Sequence, residues 1–268
     1  MTHAAARPDR GGIDAPEEAR AFVYERLKDD QLGTLGAVAD EYRTTHARFD
    51  DGRSKLMMLY RAFQEIGQLA AEGEVASFRT ALEHWVASLP GSPTPVVATA
   101  QLIVGQAWSA RGKKLAGETP ASSMDRFRKR LEEARALLDA HREVGARCPG
   151  WHTARLDIAQ LLGADEPTRT RIFDEGVAFD PSYSMLYLTY ANGLTPRWGG
   201  SYDAIRRFAA RAAELSKATD GSSMYARVYW VALAVERDAV FTEGRRRLVP
   251  SARASSTSSA ARMARSGT

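Results

Sequence analysis

Two helix starts of the same form, Pro149-Gly150-Trp151 and Pro181-Ser182-Tyr183, stand 32 residues apart. Each follows an amphipathic helical pattern, ending near Ala146 and near Val177, and each precedes another. Two helices per unit and a period near about 34 residues form the tetratricopeptide-like pattern. One helical hairpin cannot bury its apolar face alone, whereas stacked hairpins share a continuous core. The Trp-Leu-Gly-Tyr consensus positions are not filled, so the pattern is tetratricopeptide-like rather than tetratricopeptide proper. The predicted fold is all-α, an array of antiparallel helical hairpins (an α-solenoid).

The rest of the chain agrees with that class. Residues 1–13 are polar and Gly-rich and are expected to fray as a disordered N-terminus. Asp14 reads as the N-cap of a helix opened by Pro16, Glu17 and Glu18. Apolar residues then recur at helical spacing: Phe22, Val23, Leu27; Leu32, Leu35, Val38, Tyr42; Leu56, Leu59, Phe63, Ile66; Val75, Phe78, Leu82, Trp85. Asp50-Asp51-Gly52 is a turn. Residues 90–95, Pro-Gly-Ser-Pro-Thr-Pro, form a stiff connector and a possible sub-boundary. The run 96–104, VVATAQLIV, has the composition of a buried strand, but its continuation through Trp108 favours a helix of about 15 residues. Phe127, Leu131, Ala134, Leu138 and His141 mark a long helix, Ile205, Phe208, Ala209, Ala212 and Leu215 another, and Val228, Val231, Leu233 and Val235 a last one. The predicted repeat domain spans 14–244.

Charge argues against a nucleic-acid groove. The formal net charge is +4, but residues 245–268 hold six Arg and no acid, leaving 31 basic against 33 acidic residues in 1–244. A near-neutral folded part does not attract a phosphate backbone by net charge. No run of about 18 apolar residues offers a membrane span, and the N-terminus has no apolar signal core. Cytoplasmic residence is expected, in keeping with the single Cys148. The five histidines have no metal-ligand spacing, and no phosphate-cradling glycine loop or nucleophile elbow occurs. No metal, cofactor or catalytic residue is predicted.

Two constellations are the candidate binding residues. Arg197, Trp198, Gly199 and Gly200 form a turn in which two glycines permit positive φ, and Ser201 suits the N-cap of the next helix. The turn reads first as helix punctuation and second as a site whose exposed amides bind a peptide or small anion. Tyr225, Arg227, Tyr229 and Trp230 form an aromatic-basic cluster. Tyr225 and Tyr229 share one face, and Arg227 and Trp230 another, with core packing the first expectation for the aromatics.

PSYSMLYLTYANGLTPRWGGSYDAIRRFA (181–209), with YARVYW (225–230), resembles the bacterial domain of unknown function 4034, and DDGRSKLMMLYRAF (50–63) resembles an upstream motif of that family. The resemblance covers roughly 20–240. It implies a tetratricopeptide-like helical array and assigns no catalytic residue. The family pattern usually continues with an Asp-Trp motif, whereas residues 245–268 are Arg/Ser-rich and lose helical periodicity. One coding of residues 245–250, read one base on, gives Gly-Val-Asp-Trp-Ser. The tail is therefore expected to be frameshifted, or else to be a genuine disordered tail that contacts acidic partners. Sparse Lys beside plentiful Arg and Ala points to a high-GC bacterial genome.

The expected function is a protein–protein interaction or scaffold module with a protein or peptide partner, since stacked hairpins present a surface suited to peptides. The alternative is an enzyme with an unrecognised site near Arg197, Trp198 and Arg227. A third reading is nucleic-acid binding through the Arg-rich tail.

Overall fold

The computed structural model describes residues 12–112 and 116–236. All regular structure among them is helical; an isolated bridge between Arg48 and Ser54 is the one extended pairing. A 3-10 turn, Pro16–Glu18, leads into α1 (Ala19–Lys28), followed by α2 (Leu32–Thr45), α3 (Lys55–Leu69), α4 (Glu72–Ser88) and α5 (Pro93–Arg111). After a 3-10 turn at Ala116–Glu118 come α6 (Ala121–Ala140), a short α7 (Arg142–Gly145), α8 (Pro149–Leu161), α9 (Glu166–Phe179) and α10 (Ser184–Gly193). A third 3-10 turn, Pro196–Trp198, precedes α11 (Tyr202–Leu215), a short α12 (Lys217–Asp220) and α13 (Ser223–Glu236).

Side-chain caps set several helix starts. The hydroxyls of Ser54, Ser92 and Ser201 accept amide hydrogen bonds at the first turns of α3, α5 and α11, and the Asp165 carboxylate does so for α9. Each satisfies a donor that has no partner inside the helix.

The fold is organised around α5. Thirteen of its nineteen residues are buried, so it has no polar face and must be covered on all sides. It packs most extensively on α3 and α6, and also touches α2, α4, α7 and α8. Its approach to α3 is close enough for backbones to touch. A Cβ on Gly67 would lie 2.2 Å from the Leu102 carbonyl oxygen, and one on Gly105 would lie 2.0 Å from that of Gln64. Only glycine fits at either position. Elsewhere helices pack both on adjacent helices, as α8 does on α9, and on next-but-one neighbours (α1 on α3, α6 on α8, α8 on α10, α11 on α13), and α10 also packs on α13.

Several expectations change in detail. Ile13, in the stretch expected to fray, is buried; its amide donates to the Tyr42 hydroxyl (2.6 Å) and its carbonyl accepts from Lys55 (2.9 Å). Asp14 does not cap the first helix, because the chain enters through a 3-10 turn with Ala15 at its N-cap and no side-chain cap. One apolar core runs from Ile13 to Ala232 across the 90–95 connector, because α5 packs on helices from both sides of it. The two Pro-x-aromatic starts are not equivalent. Pro149 is the first residue of α8, with Trp151 buried inside that helix. Pro181 lies in a turn ahead of α10, with Tyr183 at the N-cap. The Asp180 carboxylate accepts from the Ser182 amide (2.9 Å) and builds that turn, which delays the helix. The side chains of 233–236 and the tail 245–268 lie outside the described residues.

Gly105→Ala and Gly67→Ala are each expected to destabilise the protein by about 3 kcal/mol in denaturant titration, since backbone must move to admit the methyl group. Gly73→Ala, where a Cβ meets nothing within 4 Å, is expected to be neutral or stabilising by about 0.5 kcal/mol.

Candidate functional site

The Trp198–Ser201 turn uses its own amides. The amides of Trp198 and Gly200 donate to the Thr195 carbonyl (2.9 and 3.0 Å), and that of Gly199 donates to Pro196 (3.0 Å). Gly199 has φ +81°, and a Cβ on Gly200 would sit 2.0 Å from the Leu194 carbonyl oxygen. Both glycines are thus required by the turn. Ser201 Oγ accepts from Ala204 N (3.1 Å), as an N-cap does. Arg197 is exposed and Trp198 half-buried. With those three amides spent inside the turn, the expected display of free donors to an anion is not what the geometry offers.

Arg227 lies elsewhere. α10, about 15 Å long by its ten residues, separates the Trp198 turn from the junction that Arg227 joins. There the 46–54 loop, Ser182 and Asp220 meet. Arg48 Nη2 donates to the Ser182 carbonyl (2.9 Å), and Nη1 donates to Asp220 Oδ1 (3.3 Å) and the Gly52 carbonyl (3.4 Å). Arg227 Nη1 stands 3.9 Å from Asp220 Oδ2. The Asp220 side chain is only 7% exposed; Arg48 supplies its one side-chain hydrogen bond, through Oδ1, while Oδ2 has no hydrogen-bond partner and only the longer charge contact with Arg227. Gly52, at φ +81°, leaves room for Arg227, whose Nη2 would be 3.1 Å from a Cβ there.

His46, Asp180 and Ser182 also gather at this junction, but their wiring does not make a nucleophile. The Ser182 hydroxyl donates to Asp180 Oδ1 (2.6 Å). Ser182 Oγ (3.2 Å) and Asp180 Oδ2 (3.6 Å) both face the same ring nitrogen, Nδ1 of His46. A triad needs base and orienting acid on opposite nitrogens. The three groups are a clip on the turn before α10.

The aromatics of α13 also depart from expectation. Met224, Val228 and Ala232 turn into the core, four residues apart. That register carries Tyr225 (41% exposed) and Trp230 (69% exposed) to the surface rather than inward. Tyr229 is half-buried with its ring 5.2 Å from that of Tyr225, as the shared face predicts. Burial first, then the Tyr225 hydroxyl, pushes the Tyr229 phenol up to about 12. Arg227 and Trp230 do not act together, since Arg227 turns to Asp220.

Other titratable groups are structural. Cys148 is buried with its Sγ 3.4 Å from the Tyr60 hydroxyl. Burial depresses the His152 pKa; its Nε2 lies 3.1 Å from the Ala146 carbonyl and its ring stacks on Phe179. Asp157 is raised to about 6 by burial alone. Among the described residues no three His, Cys, Asp or Glu side chains gather as a metal site, and no helix is long and apolar enough to cross a membrane. Arg48, Asp180 and Asp220 were not among the sequence-predicted residues; the one local signal was that each Asp precedes a turn-forming Pro181 or Gly221.

Comparison with protein-family models, curated proteins and solved structures gives no match in any of the three.

Arg48→Met is expected to cost about 2–4 kcal/mol in unfolding free energy, because it strands Asp220 and frees the turn before α10. Arg227→Met, which removes a longer contact, is expected to cost about 1 kcal/mol or less. For Asp157 a raised pKa means that the fold favours the protonated acid. That stability is full below the ordinary carboxylate range and is lost as pH rises through about 6. Asp157→Asn is therefore expected to stabilise the protein at pH 7.5 by about 2 kcal/mol and to leave it unchanged at pH 4; a gain independent of pH would contradict this.

Proposed function

We propose that the chain is a protein–protein interaction module, a tetratricopeptide-like array of helical hairpins of the bacterial cytoplasm, and that the outer face of α13 belongs to its contact surface. The observation that carries this reading is the pair of exposed aromatics on α13, Tyr225 at 41% and Trp230 at 69%. A tryptophan held in water by a well-packed helix presents apolar area at little entropic cost. Trp, Tyr and Arg are the residues in which binding energy concentrates at interfaces. The antiparallel-hairpin reading is supported by α8, which packs both on its adjacent helix α9 and on its next-but-one neighbour α10.

Kinship with the domain of unknown function 4034 is part of the proposal. The segments that carry the resemblance meet in space: the 50–63 motif through Gly52, the Pro181 segment through Ser182, and YARVYW through Arg227, all around Arg48 and Asp220. Residues far apart in sequence that build one junction form a coherent signature.

The test is quantitative capture from a bacterial extract with three versions of the protein. Trp230→Glu is expected to lose at least tenfold in recovery of a specific partner, with an unchanged melting temperature. Leu69→Glu, at an exposed site on α3, is expected to retain it. Equal recovery by wild type and Trp230→Glu would remove the α13 face from the proposal.

A further inference from the structure

His152, on α8, is a buried ring with one nitrogen spoken for and one not. The residue is 5% exposed. Its Nε2 faces the Ala146 carbonyl at 3.1 Å, while Nδ1 is buried with no hydrogen-bond partner. A neutral ring suits this as the tautomer that donates from Nε2 and leaves Nδ1 as an acceptor. An imidazolium carries a second N–H, on Nδ1, and no acceptor faces it. A buried donor that is both unpaired and charged is strongly disfavoured.

The walls around the ring differ in how firmly they are held. Trp151 stands edge-on at 5.0 Å and is 1% exposed. A Cβ on Gly176 of α9 would lie 3.1 Å from the His152 Cβ, so the two helices cross closely here. Phe179 stacks on the imidazole at 5.2 Å and 28°, and is itself 46% exposed. It is the last residue of α9. Of the two aromatic rings against His152, Phe179 is the one that reaches water.

The neighbouring charges do not supply the missing acceptor. Burial first, then the Arg155 and Arg142 charges, disfavours the imidazolium; the Ala146 carbonyl and Glu175 favour it. The Glu175 oxygens are already taken, by Arg155 (3.0 Å) and by Arg171 (2.9 Å). Asp139, on α6, faces Arg142 and Arg155. The attraction of an imidazolium for the Phe179 face leaves Nδ1–H unpaired all the same. A folded-state pKa below the ordinary value means that the fold favours the neutral ring. That stability is full above the ordinary histidine range, about 6.5, and is lost as pH falls through it.

The end of α9 is placed to yield first. Helix ends belong to the less stable parts of a fold. Asp180 follows Phe179; its amide donates to the Gly176 carbonyl (2.9 Å), and its carboxylate builds the turn before α10. His46 faces Asp180 Oδ2 at 3.6 Å. A protonated His46 would hold that carboxylate more firmly, so its titration opposes opening rather than imitating it.

We infer that the stack of Phe179 on His152 is an acid-sensitive clasp: a proton on Nδ1 drives the end of α9 off the ring, water becomes the acceptor, and the α3–α5 centre stays folded. The clasp is independent of the interaction-module reading.

The test follows the His152 ring and the backbone amides of the full chain by NMR, from about pH 7.5 to about pH 4, with exchange rates corrected for their intrinsic pH dependence. The Asp180 amide is expected to lose protection about tenfold or more along the same curve as the ring titrates, while the amides of α5 keep theirs. His152→Gln, which retains a neutral N–H for Ala146 and takes no proton, should keep the Asp180 amide protected throughout. Phe179→Ala, at an exposed site, should raise the proton affinity of His152 about threefold or more by letting water reach Nδ1; this variant decides the matter if His152→Gln does not fold. Protection lost equally at Asp180 and in α5, acid-induced loss in folded His152→Gln, or an unchanged His152 titration in Phe179→Ala would overturn the clasp.

Discussion

The contact of α3 with α5 through Gly67 and Gly105 fixes the rest of the structure. A methyl group at either position would sit 2.0–2.2 Å from a carbonyl oxygen of the facing helix, far inside van der Waals contact. The two axes therefore approach as closely as backbones allow. That closeness lets α5 exist as a helix without a polar side: α3 covers one flank so tightly that α6, α8 and α4 can close the others. Small residues at a helix crossing exchange the area of a side chain for dispersion contacts between backbones. The gain is rigidity at the centre, from which the outer helices take their positions.

A second constraint ties early and late parts of the described residues together. Arg48 stands between α2 and α3, yet its partners are Ser182 and Asp220. The last described helix joins through Arg227. Ion pairs of this kind add little net stability when both partners are present, because desolvation offsets attraction. They do fix geometry, since a nearly buried carboxylate accepts only arrangements that bring it donors. The Arg48–Asp220 contact thus selects how the α10–α13 region seats on the first helices.

Much of the helical inventory was legible in the chain, for local reasons. Ser201 sits where a cap belongs, and the apolar stripes of α3, α4 and α11 have one dominant face. The all-helical class follows from those signals. Three things were not legible. Along α13 two apolar stripes compete, Met224-Val228-Ala232 and Tyr225-Tyr229 with Trp230, and helical period alone does not say which turns inward. Packing on α10 and α11 chose the smaller residues. Gly67 and Gly105 each read in isolation as a helix weakened by a glycine; their meaning lies in facing each other across 38 positions of sequence. The role of Arg227 depends on Arg48 and Asp220, which no spacing rule connects to it. At the glycine turn the sequence reading anticipated the Ser201 cap, while the use of the amides of Trp198, Gly199 and Gly200 inside the turn became visible only in three dimensions.

The span of the Arg48 tie also has a kinetic meaning. Contacts within a hairpin close short loops and form early, whereas Arg48 and Asp220 are separated by 172 residues. A contact of that span forms after the helices between have assembled, because loop closure must follow the local structure that shortens it. Interactions absent from the folding transition state act on the unfolding rate and leave the folding rate nearly untouched. The junction therefore works as a latch on an already folded chain: it sets how long the native state persists, not how quickly it is reached.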